Sequence, residues 1–74
     1  MAGQIGITTH PDRRRREWAT TRPRLYNWRI LATYTSRSAA QAAENQMARS
    51  QGCTSGEGGG GPEYATWYLY RFDY

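Results

Sequence analysis

Apolar and polar positions alternate most clearly over "RLYNWRILATYT", residues 24–35. In an extended strand Tyr26, Trp28, Ile30, Ala32 and Tyr34 fall on one face, and Asn27, Arg29 and Thr33 share the other with Leu25 and Leu31. A shorter β-branched run flanked by glycine, "GQIGITT" at 3–9, reads as an earlier strand. The last stretch, "EYATWYLYRFDY" at 63–74, sets Tyr64, Thr66, Tyr68, Tyr70, Phe72 and Tyr74 against Ala65, Trp67, Leu69, Arg71 and Asp73. Both of its faces carry rings, which suits the middle of a sheet or an interface.

Helical signals fill the gaps. Thr9 and Asp12 have capping-box spacing with Pro11 in the first turn, so "PDRRRREWAT" reads as a helix that stops before Pro23. "SRSAAQAAENQMARSQGC" reads as a second helix, with Ser38 and Gln41 as its capping pair and Gly52 as its stop. Ala39, Ala40, Ala43 and Met47 form its apolar stripe, small enough to let the helix lie close against a sheet. "TSGEGGGGP", residues 54–62, reads as a flexible glycine-rich loop, and it lacks the lysine and hydroxyl residue of a phosphate-binding P-loop. The expectation is one α+β domain over residues 1–74, ordered β-α-β-α-β, with three antiparallel strands and two helices.

Composition narrows the picture. A chain of 74 residues buries only about 60% of the surface its unfolded form exposes, so the core is thin. Three Trp, six Tyr and one Phe supply much of it. One cysteine, Cys53, excludes an internal disulfide and reads as a small filler. No run approaches the ~20 apolar residues of a membrane span, and the N-terminus lacks a signal-peptide pattern; a cytoplasmic protein is expected.

Charge changes the picture more. All ten basic residues are arginines, and eight of them lie between Asp12 and Arg37 against two acids, for a net charge of +4 over the chain. Guanidinium groups fit phosphate oxygens bidentately, so Arg13, Arg15, Arg16, Arg22 and Arg24 are candidate nucleic-acid contacts. Arg13 to Arg16 span more than one helical turn, so they cannot all face one partner. His10, before Pro11, reads as a cap or loop residue.

"QIGITTHPDRRRREW", with "SAAQAAEN" further on, resembles the second half of the GIY-YIG nuclease motif and the helix that follows it. The resemblance spans roughly Gly3 to Cys53 and selects Arg14 as the arginine that steadies the phosphate. It assigns Glu44 as the ligand of a Mg²⁺ ion. Gln4 stands where the family has a tyrosine and Trp18 where it has a histidine. Return of the last strand beside the first, in a permuted arrangement, would bring Tyr68 or Tyr70 to the place of the family's first tyrosine.

The resemblance implies a nucleic-acid-binding protein, with DNA as its partner, that is a minimal or inactive metal-dependent phosphodiesterase. The competing reading is a small interaction or inhibitor protein of phage or plasmid type, whose arginine surface binds an acidic protein or competes for a nucleic-acid site. A third is a homodimer that extends its sheet through the aromatic last strand. Glu44 would otherwise be a solvated side chain or a partner of Arg37 or Arg49, and the aromatic ladder is either core or a base-stacking surface.

Overall fold

The computed structural model describes residues 2–55 and 61–74. Strand β1, Gly3–Thr8, leads into helix α1, Pro11–Thr21, and strand β2, Tyr26–Tyr34, leads into helix α2, Arg37–Gln51. A two-residue strand β3, Thr54–Ser55, and strand β4, Trp67–Asp73, complete the chain. The α+β class stands, but the sheet is mixed and has four strands, in the order β2-β4-β1-β3. β4 runs antiparallel to both of its neighbours, so β1 and β2 point the same way, and β3 runs parallel to β1. The expectation of three antiparallel strands is corrected by Thr54 and Ser55, which the sequence pattern puts at the start of a loop and which instead pair beside Gln4 and Ile5. Residues 56–60 of that loop lie outside the described residues.

β4 takes the central place that its two ring-bearing faces predict, and it lies against β1. Being paired on both edges, it cannot extend the sheet into a second copy, and dimerisation by that route is overturned. Among the described residues no helix is long and apolar enough to cross a membrane.

The two faces of the sheet differ in chemistry. Ile5, Ile7, Trp67 and Leu69 point to one side, where Ala40 and Ala48 of α2 join them in a single buried cluster. Burying each aliphatic side chain there contributes about 1.5–3 kcal/mol. The buried stripe of α2 is Ala40, Glu44 and Ala48, with Ala43 and Met47 half-buried beside it, whereas Ala39 is exposed. The helix is capped by Ser36, whose hydroxyl accepts from the Ala39 amide at 3.2 Å, in place of the expected Ser38–Gln41 pair. Ser38 instead donates its amide, at 2.8 Å, and its hydroxyl to the Glu63 carboxylate, tying the approach to β4 onto the start of α2. These bonds hold the Glu63 carboxyl below its ordinary range. Gly52 ends the helix in the left-handed region, at φ 64°, as its position predicts.

The opposite face is aromatic. Tyr70 and Phe72 project there, Trp28 stacks on them at 4.7 and 5.7 Å, and Trp18 of α1 lies 5.1 Å from Phe72. Trp18 Nε1 donates to the Tyr70 hydroxyl at 2.8 Å, which anchors an otherwise exposed helix with no fully buried residue. α1 begins without the expected Thr9–Asp12 capping box. His10 is its N-cap and makes no side-chain cap, while the Thr8 hydroxyl accepts from the His10 amide at 3.0 Å.

The strict alternation read along β2 breaks at two register shifts, one between Tyr26 and Arg29 and one between Ile30 and Ala32. Asn27 adopts a positive φ of 59° within the first. Trp28 therefore joins the aromatic face, while Ala32 and Tyr34 join the aliphatic one.

Gly6 is where the Tyr70 ring crosses β1. A β-carbon there would lie 2.6 Å from Tyr70 Cζ, so the need is for close approach rather than for an unusual backbone. Gly6→Ala is expected to displace the ring, break its bond to Trp18 and cost about 1–3 kcal/mol. A thermal melt of the variant measures it, and an unchanged midpoint would show that the ring packs elsewhere.

Candidate nucleic-acid interface

Residues 12–24 hold six arginines and two acids, a net +4 that equals the net charge of the whole chain, since the other four arginines are matched by four acids. The structure puts much of this balanced remainder to internal use. Arg29 and Arg71 lie 3.7 and 3.4 Å from the Asp73 carboxylate. A hydrogen bond from Asn27 leads the causes that hold the Asp73 carboxyl below its ordinary range. Arg37 lies close enough to Glu44 to favour its charged form.

The α1 arginines are used otherwise. Arg13 and Arg14 share one acid, Glu17, at 3.6 and 3.3 Å. Among the described residues Arg15, Arg16 and Arg24 make no ion pair, and Arg22 rests over the Tyr74 ring at 4.2 Å. Arg13 and Arg14 sit in the first turn of α1, at the positive end of its dipole, where added positive charge is unfavourable by about 0.3–1 kcal/mol each. Exposed ion pairs of the kind Glu17 makes return little of that.

Two recesses open at the turn from β1 into α1. One, of about 60 Å³, is lined by Thr8, Arg14, Glu17 and Trp67 among others and has room for a few waters. The other, of about 490 Å³, is bounded by Thr9, His10, Asp12, Arg13, Arg16 and the half-buried Tyr68. Tyr68 reaches it because it pairs with Thr8, the last residue of β1.

Tyr70, the other candidate from the sequence, does not reach it. Its side chain is buried under α1 against Gly6, and burial, opposed by the bond from Trp18 and the charge of Arg14, leaves its hydroxyl harder to ionise than usual. It is a buried member of the aromatic face, stacked on Trp28 and bonded to Trp18.

Among the described residues no hydrogen bond or ion pair joins Glu44 to Arg14, although the charges of both act on the Tyr70 hydroxyl. α1 covers the aromatic face through Trp18, and Glu44 lies in the stripe of α2 that covers the aliphatic face, with 0% of its surface exposed. One carboxylate oxygen accepts from Gln41 Nε2 at 2.9 Å; the other is buried with no hydrogen-bond partner. Burial pushes this carboxyl from 4.5 up to about 7, against the hydrogen bond from Gln41 and the charge of Arg37. Among the described residues no three His, Cys, Asp or Glu side chains gather where a metal could sit. A hard cation that keeps much of its water shell needs an accessible, ionised carboxylate, and Glu44 does not fit Mg²⁺.

No family model, curated protein or solved structure matches the chain. The surface is therefore read from its own geometry. His10 is the neighbour that sequence reasoning passed over, as a loop residue before a proline. Only the pairing of Thr8 with Tyr68 places His10 beside a ring, and strand pairing is a long-range fact.

Proposed function

We propose that the protein binds nucleic acid through phosphate contacts made by α1 and the segment leaving it. The observation that carries this reading is the confinement of the chain's net charge to residues 12–24, an exposed helix and the segment leaving it, with Arg13 and Arg14 in the first turn, where positive charge costs stability. Guanidinium groups at Arg13, Arg15, Arg16 and Arg24 are available to neutralise phosphates and release counterions, the sequence-independent source of affinity. Of the GIY-YIG resemblance the proposal keeps the contact with DNA. It derives no cleavage step, because Glu44 is enclosed and does not fit Mg²⁺.

The test compares two single substitutions that remove equal charge from different sides of the molecule. Arg16→Gln on α1 is expected to weaken binding to a labelled DNA duplex several-fold and to reduce the salt slope by about 0.9. Arg49→Gln, an exposed residue of α2, is expected to leave affinity within about twofold. Equal effects would refute the assigned face. Absence of DNA binding at low salt would favour the acidic-protein partner instead.

A further inference from the structure

Resting on that reading, we propose that the larger recess takes one nucleotide of a single strand, its base against the Tyr68 ring and its phosphate between Arg13 and Arg16. Of the three rings that β4 turns toward α1 within its length, two are occupied. Tyr70 and Phe72 are stacked by Trp28, and Trp18 bonds one and packs on the other. Tyr68 has no aromatic partner and no hydrogen bond to its hydroxyl among the described residues, and it is half-buried at the edge of an open recess.

Size separates the two recesses. About 490 Å³ lies within the range of clefts that hold small organic ligands, whereas about 60 Å³ admits only water. Arg13 and Arg16 are three residues apart and therefore share a face of α1, the face that borders this recess. Asp12 on the same rim offsets one of these charges, so phosphate attraction is not the whole of the site and a stacking surface has a part to fill. His10 on the rim offers a second flat ring and a donor.

The pairing of a ring with a flanking cationic track suits a single strand, because a duplex keeps its base faces stacked on one another and offers a recess only its backbone. Duplex DNA can meet the exposed arginines, but only a splayed base reaches Tyr68. The site thus predicts a preference between nucleic-acid forms that charge alone does not supply.

Fluorescence anisotropy with a labelled twelve-nucleotide poly-dT strand and a duplex of equal length tests this. The wild type is expected to hold the single strand about tenfold more tightly than the duplex. Tyr68→Phe keeps that preference, while Tyr68→Leu, which retains apolar bulk, lowers single-strand affinity about tenfold and leaves duplex affinity unchanged. No preference in the wild type, or equal losses on both forms for Tyr68→Leu, would overturn the inference and leave the phosphate-binding reading standing. Binding to neither form would overturn both. A second measurement needs no variant: photocrosslinking of a bromouracil-substituted strand to the wild-type protein should label Tyr68 or His10, and labelling confined to Trp28 and Tyr26 would contradict the assigned recess.

Discussion

Glu44→Gln is expected to stabilise the protein above neutral pH and to leave it unchanged near pH 4.5. The side chain is fully buried on the sheet-facing stripe of α2, with one oxygen unpartnered, and burial holds its carboxyl at about 7 instead of 4.5. The fold therefore favours the protonated form. Below the ordinary carboxylate range both folded and unfolded chains bind the proton, and Glu44 costs nothing. As pH rises from about 4.5 to about 7 the unfolded chain releases the proton while the folded one retains it, so stability falls. At about 1.4 kcal/mol per pH unit, the full loss is roughly 3 kcal/mol. A chain of 74 residues has roughly 4–11 kcal/mol in total, so this is a large share, and it corresponds to a rise on the order of 15 °C in the melting temperature of the variant at pH 8. The substituted amide keeps a carbonyl to accept from Gln41 and carries no charge to bury. Thermal melts of both proteins from pH 4.5 to 8.5 measure the difference directly. Glu63 and Asp73, whose lowered carboxyls act in the opposite direction, are common to both and cancel. A constant difference across the range, or a variant less stable at pH 8, would contradict the account.

Trp18→Ala is expected to cost about 3 kcal/mol and to release α1 from the sheet. An isolated helix of eleven residues is marginal in water, and this one also carries four adjacent arginines that repel one another. Its anchor is the indole, which packs on Phe72 and donates to the buried Tyr70 hydroxyl. Removing it should lower both the melting temperature and the helical signal at 222 nm. Trp18→Phe, which keeps a ring and loses the donor, should cost about 1–2 kcal/mol and retain most of the helix. A loss below about 1 kcal/mol for Trp18→Ala would mean that α1 is held by something else.

The role of Trp18 shows what was legible in the sequence. Its position on an arginine-rich helix was plain, and the resemblance compared it with a catalytic histidine, but its partner lies 52 residues away on β4. Local signals located α1, β2, α2 and the central strand, because apolar periodicity, Pro11 and Gly52 act within a turn or two of the residues they govern. They missed β3, which is a strand only because β1 lies beside it. They also missed the turnover of β2, since a bulge is set by how two strands meet and not by the alternation within one. The arginine surface was visible in outline from charge counting. The solvated reading of Glu44 is the one that packing overturns: an ionisable residue in an alanine-rich helix looks exposed, and only the tertiary fold encloses it.

The most direct test of the central claim is the dependence of DNA affinity on salt for the wild-type protein. If four to six of the arginines between residues 12 and 24 meet phosphates, a plot of log K against log salt concentration falls with a slope of about −4 to −5 on duplex DNA. A slope near zero, or no measurable binding at about 20 mM salt, where phosphate attraction is strongest, would contradict it.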